Sequence, residues 1–191
     1  MASGDDKNII KKIKRGDVSA YSLLIDKYQH MVYTLALQIL KSEADAEEVA
    51  QDAFFKAYKA LNTFEGRSSF STWIYRITYH QAISRLRKAR KKEISHDFDA
   101  AGTSQYPENE SLNEILEARD RSKYLKEALG KIKGDESSIL TLFYYEEKKI
   151  DEIAEITGLT PSNVKVKLFR GRQNLLKALQ SSLKKEAGSL I

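Results

Sequence analysis

Apolar residues recur along this chain at helical spacing, with few of the strict alternations that mark strands. Ile9, Ile10 and Ile13 begin the first pattern, and Gly16-Asp17 closes it. Asp17 or Ser19 can cap a second helix, whose inward positions are Leu24, Ile25, Tyr28, Val32, Leu35, Ala36 and Ile39. Ser42 is the expected N-cap of a third, with Val49, Ala50, Ala53, Ala57 and Leu61 inside. A Gly/Ser loop follows, and then the stretch the chain is organised around, FEGRSSFSTWIYRITYHQAISRLRKARKK. Ser71 is its expected cap, and no Gly or Pro interrupts the next twenty residues, so one long helix is predicted. Tyr75, Tyr79, Ala82 and Leu86 form its apolar stripe, with Ile83 beside it, while Trp73, Arg76, His80, Ser84 and Arg87 fall opposite.

Helical spacing resumes at Ser111 and runs to Ile132, through Leu112, Ile115, Leu116, Leu125, Ala128 and Leu129. Asp135 is expected to cap the next helix, carrying Ile139, Leu140, Leu142 and Phe143. Then Ile150, Ile153 and Ala154 face inward on a short helix, Gly158 supplies a turn and Leu159 plugs the corner. Pro161 or Ser162 opens a last helix, with Val164 and Leu168 inward. With two Pro in the whole chain, the expected fold is all-α.

Composition narrows the class. A chain of 191 residues, 41% hydrophobic and 31% charged, describes one or two small globular domains. It has no apolar run of membrane-span length, no signal-peptide core at the N-terminus and no Cys, so a cytoplasmic protein without disulfides is expected. No Gly-rich phosphate loop and no metal-ligand spacing occur, and His30, His80 and His96 lie far apart. Hence no catalytic residue, metal or cofactor is expected, and an enzyme is disfavoured.

Net charge is a modest +5, but its distribution is uneven. Arg85, Arg87, Lys88, Arg90, Lys91 and Lys92 put six positive charges in eight residues, beside a face bearing Trp73 and His80. Such a face suits bases and phosphates, although a solvated basic helix would read the same way. The third helix is acidic instead. Glu43, Asp45, Glu47, Glu48 and Asp52 exceed what the helix dipole needs, so with Gln51 they either dress its N-terminus or dock a basic partner. From Glu93 to Ala118 there are seven acids and no Lys or Arg, and residues 93–110 are read as an acidic, flexible linker. Two domains result, 1–92 and 111–191. In the second, Ala154, Gly158 and Val164 stand four and then six apart, the spacing of a helix-turn-helix. Ser162, Asn163, Lys165, Val166, Phe169, Arg170 and Gln173 point outward, and seven Lys/Arg without an acid follow Asn163 as far as Lys185, which suits a major groove.

In this order, DAEEVAQDAFFKAY, FSTWIYRI with its basic helix end, and EIAEITGLTPSNVKVKLFRGRQNL resemble bacterial sigma factors of the extracytoplasmic-function group. The resemblance spans nearly the whole chain. It implies a σ2-like helical bundle and a σ4-like helix-turn-helix domain, joined by a linker that threads into core RNA polymerase. The partners implied are core polymerase, through its β′ clamp helices and β flap, promoter DNA, and an anti-sigma factor. The segment matching the docking helix places Asp45, Glu48, Gln51 and Asp52 on polymerase. The loop and helix matching the minus-ten reader assign Arg67, Trp73, Arg76, His80, Ser84, Arg87 and Lys88 to that element, with a base flipped from the non-template strand. Trp73 fits either a wedge between bases or core at the helix start. The recognition helix assigns Ser162, Asn163, Lys165, Val166, Phe169, Arg170 and Arg172 to the minus-thirty-five element. Three positions depart from the common pattern: His80 stands where many members have Asn, Ser84 where many have Asp, and Val166 where Ser is common. A helix-turn-helix regulator with an N-terminal effector or dimerisation domain is the alternative. A third class, an RNA-binding or scaffold protein, leaves the Ala154/Gly158/Val164 spacing unexplained.

Overall fold

The computed structural model describes residues 4–94 and 118–187, so most of the expected linker and the start of the expected second domain lie outside the described residues. The chain is all-α, and no strand occurs among those residues. The helices are α1 (Gly4–Lys14), α2 (Tyr21–Leu40), α3 (Glu43–Ala60), α4 (Phe70–Ile94), α5 (Ala118–Lys131), α6 (Gly134–Tyr144), α7 (Ile150–Thr157) and α8 (Pro161–Ala187). No helix among the described residues is long and apolar enough to cross a membrane.

The first module is α2, α3 and α4 packed on one another, with α1 laid against α2. Leu24, Val32, Leu35, Ala36, Ala46, Ala53, Ala57, Ile74 and Ala82 are solvent-free at its centre. Small residues on α3 let the helices approach closely, so the alanines of the acidic helix are structural. Asp6 anchors α1: it is buried, and its carboxylate accepts from Lys27 Nζ at 2.5 Å and Tyr28 Oη at 2.6 Å. A buried carboxylate is tolerated here because both its oxygens are paired.

In the second module α6 and α5 pack on α8, and α7 packs on α8 to form the helix-turn-helix. Gly158 has φ +73°, the left-handed conformation that glycine adopts at least cost. Ile153, Ile156, Val164 and Leu168 close the core beneath that turn.

Two expected caps shift. Ser42 caps α3 as predicted, accepting from Asp45 N at 3.3 Å. For α4 the cap is Ser69, whose Oγ accepts from Thr72 N at 3.1 Å; the helix has already begun when Ser71 is reached. Asp135 lies inside the first turn of α6, after the N-cap Lys133, because its carboxylate is drawn across to Lys167 of α8. Pro161 opens α8 as expected, and Thr160 before it supplies the cap, accepting from Asn163 N at 3.3 Å.

The modules are in contact, with α7 lying along α4 and α6 along α2. Their seam is polar at several points. Tyr75 Oη donates to Glu146 Oε2 at 2.6 Å, Lys148 Nζ to Ser71 Oγ at 2.8 Å, and Thr72 Oγ1 to Glu152 Oε1 at 3.2 Å. Ser137 Oγ donates to Gln38 Oε1 at 2.5 Å, and Lys41 Nζ to the Leu129 carbonyl at 2.8 Å. Gly134 brings two backbones together: a Cβ there would stand 2.7 Å from the Ile39 carbonyl oxygen.

Candidate nucleic-acid interface

The loop before α4 is held from behind. Phe70 is buried, and its ring meets those of Tyr28 at 5.4 Å, Trp73 at 5.8 Å and Phe64 at 6.0 Å. Trp73 and Phe64 are 5.0 Å apart, so the half-buried Trp73 belongs to this aromatic cluster while part of it stays accessible to solvent. Lys14 Nζ donates to the Phe64 carbonyl at 2.7 Å, fixing the chain as it enters the loop. The loop itself is open. Gly66 has φ +73° with nothing near a Cβ position, and Arg67 is exposed and pairs with the exposed Glu65. A surface pair of that kind is worth ~0–1 kcal/mol and gives way readily to a phosphate.

Beyond the loop, Arg76, His80, Ser84, Arg87 and Lys88 are all exposed along α4, on one side as their spacing predicts. Tyr75, Tyr79 and Ala82 are buried on the other, with Ile83 and Leu86 half-buried. Partial desolvation where it stands against the helix surface, reinforced by the positive fields of Arg76 and Arg87, shifts the His80 imidazole below its ordinary pKa. A neutral imidazole offers one nitrogen as donor and the other as acceptor, a pattern different from that of an amide. The rim of this face also meets the second module, since His80 Cε1 would be 3.6 Å from a Cβ at Gly158. On the expectation that this face captures a flipped base, His80→Asn should change the ranking of promoters carrying each of the four bases at that position, read by the rate of open-complex formation. An unchanged ranking and rate would make His80 an ordinary surface histidine.

The second face lies on α8. Ser162, Asn163, Lys165, Val166, Phe169, Arg170 and Arg172 are exposed, with Val166 46% and Phe169 60% accessible. Val166 and Phe169 are thus two large apolar side chains left in water on a helix whose other side is buried. Lys167 is turned away to Asp135, and the Arg172 guanidinium lies over the rings of Phe143 and Tyr144 at 5.7 and 5.5 Å. Arg172 thus has an intramolecular partner that its spacing did not reveal.

The acidic helix is more divided than its composition suggests. Arg85 of α4 reaches across to Asp45 Oδ1 and Glu48 Oε1, both at 2.6 Å, and holds the Glu48 carboxyl below its ordinary pKa. Those two acids pair within the module, and Glu48 nevertheless stays exposed, as Gln51 and Asp52 are. Beside Gln51 lies an apolar groove formed by Val18, Tyr21, Ile25, Phe54, Phe55 and Tyr58, with Phe55 58% accessible. The expected docking residues did not include this groove. Its signal was the pair Phe54-Phe55, since adjacent positions on a helix cannot both face the core.

Family models of sigma-70 region 2 and sigma-70 region 4 match residues 24–92 and 122–175. The chain is 32% identical to the extracytoplasmic-function sigma factor SigW of Bacillus subtilis, covering 91% of this chain and 96% of that protein. It is 30% identical to the RNA polymerase sigma-H factor of Pseudomonas aeruginosa, over 96% of this chain and 98% of that one. The chain belongs to the extracytoplasmic-function sigma factors. Such a sigma factor is a transcription initiation factor with a DNA-binding helix-turn-helix and no catalysis of its own. Its fold matches solved sigma factors. One is RpoE of Bartonella quintana in complex with the anti-sigma factor NepR, with a TM-score of 0.62 and 19% identity over 84% of this chain and 96% of that one. Another is CnrH in complex with the cytosolic domain of CnrY, with a TM-score of 0.62 and 20% identity over 92% of this chain and 97% of that one.

Proposed function

We propose that this sigma factor brings core RNA polymerase to promoters by reading a minus-ten element with α4 and its preceding loop, and a minus-thirty-five element with α8. The observation that carries the reading is the exposure of both faces on opposite modules: Arg76, His80, Ser84 and Arg87 on one, Asn163, Lys165, Phe169 and Arg170 on the other. On α4, Arg67 holds a phosphate while a non-template base leaves the stack and lodges at the loop, against the accessible part of Trp73 and the His80 side. Unstacking a base costs a few kcal/mol, which stacking and hydrogen bonds at the pocket return.

On α8, Arg170 is the candidate for bidentate contact with guanine, because its planar fork matches the two acceptors on that base edge. Arg170→Ala should cost ~1–3 kcal/mol of discrimination between promoter variants. Arg172→Ala, by contrast, should lower affinity evenly across sequences. Equal, sequence-independent losses for both would overturn the assignment.

Polymerase docking is assigned to the outer side of α3. Gln51 and Asp52 supply polar contacts, and the Phe55 groove supplies an apolar anchor of the kind that dominates interface energetics. Asp45 and Glu48 contribute through their hold on Arg85, which couples the docking helix to α4. The second module is assigned a contact with the β flap. One of the related solved structures holds an anti-sigma factor, and an anti-sigma partner is proposed here on that likeness. Acidic residues 93–110 are proposed to thread the polymerase between the modules.

A further inference from the structure

The charges of α1 are not used by either reading face. Lys7, Lys11, Lys12 and Arg15 are exposed and make no ion pair with any described residue. The helix cannot roll to hide them, because Asp6 is locked to Lys27 and Tyr28 while Ile10 and Ile13 are buried beneath it. At about 100° per residue, the surface runs from Lys14 through Lys7 and Lys11 to Arg15 and Lys12 without an acid between them. Lys14, at one border, is the residue that grips the Phe64 carbonyl at 2.7 Å and the Asn62 carbonyl at 3.4 Å. The cationic ridge is therefore attached to the chain that leads into the open Gly66–Ser69 loop. Cations in the last turn also complement the helix dipole, which accounts for Lys11, Lys12 and Lys14. That argument does not reach Lys7, and it does not explain the link to the loop.

We propose that Lys7, Lys11, Lys12 and Arg15 form a phosphate-binding ridge that holds the displaced single strand of DNA on the downstream side of the capture loop. The inference rests on the base-capture reading above. In that reading the strand comes over Arg87 and Lys88, about 27 Å along α4 from Phe70 at ~1.5 Å per residue, and gives up a base at the loop. It then needs a path away from the loop. On this side the stretch from Lys7 to Arg15 offers about 12 Å of positive surface at the same rise per residue, with the exposed Asp5 at its border beside Lys12. Backbone phosphates are recognised by such a surface without regard to sequence.

The test uses the full chain assembled with core polymerase. Lys7, Lys11, Lys12 and Arg15 are replaced together by Gln, and binding is measured to two forked DNA probes. In one the non-template strand stops at the captured base; in the other it continues for roughly ten nucleotides. The variant should match wild type on the short probe and bind the long one about 5–10-fold more weakly. The slope of log K against log salt on the long probe should also become shallower, since each lost phosphate contact on a single strand removes ~0.7. The double variant Lys7→Gln/Lys11→Gln should show a smaller loss in the same direction, which guards against a folding defect in the fourfold variant. Equal binding to the long probe, equal losses on both probes, or a loss seen only on anionic lipid vesicles would overturn the proposal. Should wild-type holoenzyme fail to prefer the minus-ten probe over a scrambled one, the base-capture reading itself falls, and the ridge with it.

Discussion

Replacing Gly134 by valine should push the two modules apart. A Cβ at this position meets the Ile39 carbonyl oxygen at 2.7 Å, its Cα at 2.9 Å and the Gln38 carbonyl oxygen at 3.1 Å. All three are backbone atoms of α2, so no change of rotamer relieves the clash. Overpacking of this kind costs about 1–3 kcal/mol, and the cheapest release is for α6 to lift from α2. The bonds from Ser137 to Gln38 and from Lys41 to Leu129 would go with it. Because the chain has no Cys, spin labels at Ala44→Cys and Ser181→Cys report the distance without interference. Wild type should give one narrow distribution, and Gly134→Val a longer and broader one. Separation is also what the proposed function requires. Elements centred near minus ten and minus thirty-five lie roughly 25 base pairs apart, or about 85 Å at ~3.4 Å per pair. We expect modules joined along α4–α7 and α2–α6 to part in order to reach both. An unchanged distribution in Gly134→Val would mean the seam tolerates the intrusion.

Phe70→Ala should be the most damaging single truncation in the first module. Its ring is 1% exposed and touches Tyr28, Phe64 and Trp73, which together seat the capture loop. Buried Phe→Ala changes cost about 3–5 kcal/mol, a large share of the ~5–15 kcal/mol that holds a domain folded. Urea denaturation should show a lower midpoint. At conditions where the variant is still folded, open-complex formation should fall more than binding to a minus-thirty-five duplex. Phe70→Leu, which keeps most of the volume, should lose less than half as much. A loss below about 1 kcal/mol in Phe70→Ala would show that the aromatic cluster does not organise the loop.

Much of this architecture is legible in residue spacing. The helical stripes of α2, α3 and α4, the Gly158 turn and the outward face of α8 follow from the 3.6-residue period and from glycine's access to positive φ. What spacing does not show is long-range pairing. Asp135 reads as a cap until Lys167, thirty-two residues on, draws its carboxylate away. The acids of α3 read as helix-dipole partners or as a docking patch, and spacing does not show that Arg85 of α4 pairs with Asp45 and Glu48. Trp73 could have been wedge or core, and the rings of Phe64 and Phe70 place most of it in the core. The seam between the modules was also hidden. It is made of single hydroxyls and carboxylates, such as Tyr75 with Glu146, that carry no periodic signature.

The central claim is promoter-directed initiation, and run-off transcription tests it most directly. Purified protein and core polymerase would be combined on a genomic promoter pool, with each component also assayed alone. The account predicts discrete run-off products only when both are present, with weak or no footprint from the protein by itself. It also predicts that products from a given promoter disappear when either its minus-ten or its minus-thirty-five element is scrambled. A clear duplex footprint by the protein alone, together with no new product in the presence of core polymerase, would contradict the account and favour a helix-turn-helix regulator.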